Sequence, residues 1–340
     1  MHDKINISSE DSSEEKKAAI SENTPSELSP VAPDFSSAVQ PSYVRTVFLG
    51  PEGLKAGWGF AFYVAMFYLL QFVVIRWAGS VELGTDGLWS MMLEEFGLFL
   101  AAAIPALLLS SVEQRAWGAY GLPGRRAFGK LFWVGAIWGF ASISLLMALM
   151  YGVRVFDVGH LAMHGARIVR FGVFWAVMFL LVGFFEEFLL RGYSQFTLTR
   201  AIGFWPAAVL LSCTFGLIHI RNGGEEWPGL LAAAAIGFFF CLTLRRTGNL
   251  WFAVGFHAAW DWGETFVYSV PDSGTIFPGH LLESSFHGPG WLTGGMVGPE
   301  GSVLCFVVIA VVWVRFARAY PEVKYGVEKP SPQRTRGLTA

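Results

Sequence analysis

Apolar positions in this chain come in long unbroken runs, at about 57–77, 92–112, 131–151, 171–191, 204–221, 229–245, 250–269 and 302–320. Each holds about 20 residues, enough for a helix to cross a ~30 Å hydrocarbon core. Inside the runs there is no rhythm of polar positions at 3.6 or at two residues, the mark of a helix or strand half-exposed to water. The pattern predicts an all-α fold, a polytopic transmembrane helical bundle of about eight spans. Residues 1–49 are rich in Ser, Glu, Pro and Lys and are expected to form a disordered cytoplasmic tail. They contain no apolar segment of the kind a cleavable signal needs. Residues 50–321 are expected to form the bundle, and 322–340 a polar C-terminal tail.

Composition agrees with this picture. Of 340 residues, 54% are hydrophobic and only 15% are charged, against ~25% charged in soluble domains. The 39 glycines, 14 tryptophans and 31 phenylalanines fit a membrane protein, where Gly and interfacial Trp are enriched. A net charge of −2 argues against a nucleic-acid partner. Cys213, Cys241 and Cys305 all sit in apolar runs without CxxC spacing and read as buried thiols. Lys and Arg set the orientation. With the N-terminus in the cytoplasm, the inside segments carry 13 basic residues (among them Arg125, Arg126, Lys130, Arg245 and Arg246) and the outside segments carry 5: Arg76, Arg154, Arg167, Arg170 and Arg221. The expectation is a multi-pass protein of the cell (plasma) membrane with both termini cytoplasmic.

Ionisable groups inside apolar spans are costly and therefore point to function. Three places stand out. In Gly183-Phe-Phe-Glu-Glu-Phe-Leu-Leu-Arg191, Glu187 and Arg191 are four apart on a helix and can pair. Glu186 is turned by about 100° from Glu187 and is left available to take a proton. In Phe215-Gly-Leu-Ile-His219, Phe215 and His219 share a face. In His257-Ala-Ala-Trp-Asp261, the carboxylate can fix the imidazole's tautomer and orientation. Taken singly these are also an interfacial charge cluster, a helix-packing histidine and a satisfied polar pair. Together they place two carboxylates, an Arg, two His and an Asp on three spans that must turn these faces inward, because lipid cannot solvate them. A Glu and a His in a hydrated, low-dielectric cavity can activate water, and a second His can stabilise an oxyanion. The pair Glu94 and Glu95 in the second run is the main other exception to the apolar rule.

Glu186-Glu187-x-x-x-Arg191, Phe215-x-x-x-His219 and His257-x-x-x-Asp261, in this order on separate spans, resemble the CPBP family of intramembrane endopeptidases. This family includes the type II CAAX prenyl proteases and bacteriocin-processing enzymes and is also called the Abi family. Gly248-Asn-Leu-Trp251 before the last motif looks family-like as well, and the resemblance covers about residues 170–270. It implies a multi-helix protease acting on membrane-associated or prenylated peptides. It implies that Glu186 and His219 activate water, that His257 and Asp261 stabilise the tetrahedral intermediate, and that Arg191 orients Glu187. Asp261 stands where the family has Asp or Asn. The family is named as metalloproteases. A divalent metal such as zinc, held by Glu186, His219 and His257, and a metal-free glutamate mechanism are both compatible with the residues.

Two other function classes remain open on the sequence: a proton-coupled transporter, and a catalytically silent membrane scaffold or immunity protein. Simple spans would put Glu186 and His219 about 14 Å apart in depth, too far to share a water. A fourth helix continuing past Arg191 toward Arg200 would lower that apparent depth, and tilt or a water-filled cavity open to one side would help too. His160, His164, His280 and His287 fall in loops and read as solvated residues.

Overall fold

The computed structural model describes residues 43–50, 53–78, 80 and 87–326. The chain enters through a short helix α1 (Tyr43–Phe48) and a hairpin in which β1 (Leu49–Gly50) pairs with β2 (Gly53–Leu54). Residues 43–49 of the expected disordered tail are therefore ordered. Residues 1–42 and 327–340 lie outside the described residues. Long helices follow: α2 (Ala56–Ala78), α3 (Leu88–Val112) and α4 (Lys130–Gly152). After β3 (Phe156–Asp157) comes α5 (Ala166–Phe188). It runs on through a π-helical stretch, Leu189–Ser194, into α6 (Gln195–Ile202). Then come α7 (Phe204–Ile218), α8 (Trp227–Thr247) and α9 (Trp251–Asp261), the last prolonged by π-helical Trp262–Val267. β4 (Ser285–Phe286), the single turn α10 (Gly290–Thr293) and α11 (Val303–Ala319) complete the chain.

The protein is an all-α bundle. Among the described residues, six helical stretches are long and apolar enough to cross a membrane: 56–78, 88–112, 130–152, 166–202, 204–221 and 227–247. The seventh and eighth expected spans are present as helices but shorter. α9 has 11 residues before its π-helical extension, and α11 has 17. α9 does not resemble a lipid-facing span in its surroundings: Trp251 through Ala258 are all buried. It forms the middle of the bundle.

Small residues place it there. Gly135 and Gly139 of α4 meet the carbonyls of Phe252 and Phe256 on α9, while Gly255 of α9 meets the carbonyl of Phe132 on α4. A Cβ at any of the three would collide with backbone. This is the small-xxx-small contact by which membrane helices approach without a hydrophobic drive between them. On the other side, Gly183 of α5 lies against the Val254 carbonyl and the His257 Cβ. Local sequence sets where α9 begins. Gly248, with φ +78°, ends α8 in the left-handed conformation, and its N–H bonds Leu244 O at 2.9 Å. The Asn249 side chain then accepts from the Trp251 N–H at 3.1 Å.

The fourth span continues to Ile202, as the depth argument requires, and it does so through a kink. Gly192 has non-helical dihedrals (φ −81°, ψ −113°). The Ser194 hydroxyl donates to Leu189 O at 2.7 Å, a side-chain bond back to the widened turn. An aromatic core with Phe239, Phe240, Phe252, Phe256 and Phe316 fills the space between α8, α9 and α11. At one end of the bundle, loop 268–302 packs back on the molecule. β3 pairs with β4, and Asn222 Nδ2 donates to Ser273 O at 3.0 Å.

Candidate active site

α5 and α9 run side by side, so the two glutamates of α5 face the histidine of α9. Glu187 is fully buried, as is Arg191. Their pair, Nη1 to Oε1 at 3.2 Å, is the one the four-residue spacing predicts. The rest of the guanidinium has no hydrogen-bond partner at Nε or Nη2. It lies instead on aromatic faces, 4.4 Å from the Phe215 centroid and 5.8 Å from that of Phe240, a cation–π arrangement. Gly237 of α8 provides the room, since a Cβ there would strike the guanidinium and the Phe215 ring.

His257 is held differently from the expectation that Asp261 fixes it. Its Nδ1 bonds Glu187 Oε1 at 3.1 Å. Its Nε2 stands 3.5 Å from both Glu186 Oε2 and Asp261 Oδ2. Glu187 is therefore the orienting carboxylate. Asp261 shares with Glu186 the side of the ring that faces open space. The Phe240 ring stacks on the imidazole at 5.6 Å, which limits ring rotation.

His219 follows the last turn of α7. Its Nδ1 lies 2.8 Å from the Phe215 carbonyl. A carbonyl only accepts, so Nδ1 carries hydrogen and a neutral imidazole keeps its lone pair on Nε2. Phe215 is packed between the two histidines, with its centroid 4.7 Å from that of His219 and 6.2 Å from that of His257.

Glu186, Phe215, His219, His257 and Asp261 all line one cavity of about 210 Å³, roomy enough for several waters. Glu187 and Arg191 form the layer behind it. Glu186 and His219, which simple spans put at different depths, thus border the same cavity. The cavity also takes in residues that the sequence reading left outside the site: Glu95 from α3, Asn222 after α7, and Asp272 and Glu300 from loop 268–302. Glu95 was visible as a charge in an apolar run, and its Oε2 is buried without a partner. Asp272 and Glu300 carried no signal, because a Gly/Pro-rich loop reads as surface. Outside the spans, burial and then Glu300 push the Asp272 carboxyl up to about 8, and the same causes raise half-buried Glu225.

The expected metal ligands do not converge. Two atoms bound to one zinc lie no farther apart than about 4.2 Å. Glu186, His219 and His257 do not offer three ligand atoms within 4.8 Å of one another. The residues do not fit a ready three-ligand zinc centre, and no step is derived through one. The loop histidines behave as solvated groups. His160 pairs with Glu283 at 3.0 Å and His287 with Asp157 at 2.8 Å, all well exposed, and His280 Nδ1 lies 3.0 Å from Phe277 O.

Residues 168–263 match the family model described as type II CAAX prenyl endopeptidase, Rce1-like. All three motifs fall inside the match, so the resemblance they carry is borne out over this segment. The match supports, in general terms, an intramembrane endopeptidase of the CAAX type with a peptide substrate. No curated protein matches the chain.

Proposed function

We propose that this protein hydrolyses a peptide bond of a membrane-associated or prenylated substrate inside the cavity, using water activated by Glu186 and His219. The observation that carries this reading is that the motif residues of three separate helices line one cavity, with Glu186 3.5 Å from His257 Nε2. Glu186 takes a proton from water as its oxygen attacks the scissile carbonyl carbon, while the lone pair of His219 Nε2 holds the water in place. The carbonyl oxygen gains charge and receives a hydrogen bond from protonated His257 Nε2. The proton held by Glu186 then passes to the leaving amine as the C–N bond breaks. Glu187, bonded to Nδ1, keeps the imidazole aimed, and Arg191, 3.2 Å away, holds Glu187 in place.

The cavity lining includes Asn222, Ser273, Thr275 and Glu300, from the segments after α7 and before α11, on the side where the loops carry 5 basic residues against 13. By the positive-inside rule that side faces out of the cytoplasm. The substrate would then approach from the outer leaflet. The plasma membrane and the cytoplasmic location of both termini are part of this proposal, as are a bundle that ends near residue 321 and a polar tail after it.

The test is turnover of a fluorogenic membrane-anchored peptide by purified, reconstituted protein. Glu186→Gln, His219→Ala and His257→Ala are each expected to lower the rate by about a hundredfold or more, with protein still folded. The losses should not add, because the groups act on one transition state. Retained turnover in Glu186→Gln overturns the mechanism. Reporter fusions at residues 160 and 285 should score outside, and one at 122 inside. A cytoplasmic score at 285 would reverse the direction of substrate entry.

A further inference from the structure

Beyond the motif residues lies a second group of carboxylates that the mechanism does not use. Glu264 sits in the π-helical extension of α9, and Asp272 and Glu300 come from loop 268–302. One oxygen from each lies within 4.8 Å of the others. Glu264 is fully buried. Its Oε2 accepts from the Trp260 indole N–H at 2.8 Å, but its Oε1 is buried with no partner. Asp272 Oδ2 accepts from the Thr265 hydroxyl at 3.0 Å, and Glu300 Oε2 accepts from the Ser273 hydroxyl at 2.6 Å and its N–H at 3.2 Å. Each of the three thus spends one oxygen on a neutral donor and keeps the other. Among the described residues, no Lys or Arg pairs with any of them.

We infer that Glu264, Asp272 and Glu300 form a binding site for a hard divalent cation of the calcium class. Buried carboxylates are stable when paired, protonated or ligated to a metal. Here a pairing base is missing, and a fully buried oxygen is left over. The ligand set is all oxygen, which suits Ca²⁺, Mg²⁺ or Mn²⁺ rather than zinc or copper. Oxygens on one Ca²⁺, at 2.3–2.6 Å each, can lie up to about 5 Å apart, so a set gathered within 4.8 Å admits calcium without moving. Carboxylates from a helix end and a loop also suit the flexible geometry of Ca²⁺ better than the near-ideal octahedron that Mg²⁺ demands. Asp272 and Glu300 line the same cavity as the motif residues, which gives the ion a route in and room for water in its shell. Bound there, it would fasten loop 268–302 to the end of α9.

The test uses the full chain in detergent, stripped with EDTA and then dialysed against CaCl₂, with MgCl₂ and KCl as controls. About one Ca²⁺ per chain is expected, saturating at or below about 1 mM. The melting temperature should rise by about 5 °C at a hundredfold excess over Kd. Trp260, whose indole bonds the site, should report binding by its fluorescence. Asp272→Asn and Glu300→Gln should each weaken binding at least tenfold. These two variants lie in loop 268–302 rather than in the helical extension of α9, and they carry the test if Glu264→Gln does not fold. No bound calcium in the wild type, or undiminished binding in both Asp272→Asn and Glu300→Gln, overturns the site. So would a wild type unmoved by Ca²⁺ but stabilised by falling pH, the signature of carboxylates sharing protons. None of these readouts involves peptide turnover, so the result stands apart from the proposed mechanism.

Discussion

Two buried carboxylate clusters lie at successive levels of one bundle, and they are compensated in opposite ways. Around Glu187, the chain supplies its own counter-charge: Arg191 at 3.2 Å and His257 at 3.1 Å, with Phe215 and Phe240 covering the guanidinium. Around Glu264, only neutral donors are present, from Trp260, Thr265 and Ser273. A carboxylate fixed by a base has one orientation, which is what a group aiming the His257 imidazole in the proposed mechanism must have. A carboxylate left without a base depends on what the solution provides. Burial alone therefore does not say whether an acidic cluster is part of the machinery or a receptor for something added.

The strongest way to break the comparison is to unbalance the first cluster. Glu187→Ala or Arg191→Met leaves an uncompensated buried charge, and each is expected to cost about 3–5 kcal/mol, seen as lost yield or a lowered melting temperature. Removing both together, as Glu187→Leu with Arg191→Leu, should recover much of that stability. It should not recover turnover, because His257 Nδ1 then has no partner. A double variant that is both stable and fully active would dismiss the orienting role of Glu187.

Next in size come the glycines that seat the cluster. Gly139→Ala must push α4 and α9 apart at the Phe256 carbonyl, at a cost of about 1–3 kcal/mol. Gly237→Ala presses on the guanidinium and on Phe215, so it should lower turnover more than it lowers the melting temperature. Asp261→Asn is smaller still, under about tenfold in rate, since Glu187 rather than Asp261 holds the ring; Asp261→Ala should be worse. Smallest is Asp272→Asn in divalent-free buffer. Burial and Glu300 already push this carboxyl up to about 8, so near neutral pH the neutral amide replaces a largely neutral group, and the melting temperature should stay about level. A fall of several degrees would mean that the second cluster is compensated after all.

What could be read from the sequence followed the range of the interaction. Spans depend on local composition, and Glu187–Arg191 on four residues of one helix, so both were legible. The continuation of the fourth span past Arg191 was legible from the depth argument alone. The bond from Glu187 to His257 joins positions 70 residues apart. Only the approach of α5 to α9 at Gly183 creates it, so the sequence suggested the nearer Asp261 instead. The place of Glu95 in the cavity, and of Asp272 and Glu300 beside Glu264, likewise depends on helices and a loop meeting in three dimensions. The gap in apparent length of α9 has the same source. A helix wrapped in protein need not satisfy the bilayer on its own.

The lipid-facing flank of α7 and α11 has a consequence for the membrane itself. The stretch 204–221 has 18 residues and α11 has 17, or about 26 Å of rise, short of the ~30 Å hydrocarbon thickness. Both turn apolar side chains outward, among them Val209, Leu210, Val307 and Val311. A bilayer that thins to meet them does so at a modest cost per ångström of mismatch. Headgroups and their water are thereby drawn inward along the flank that ends at His219. A peptide anchored in that thinned patch needs less vertical travel to reach the cavity, and the water that hydrolysis consumes has a shorter path from bulk. The thickness of the host bilayer thus becomes a setting for this protein's activity.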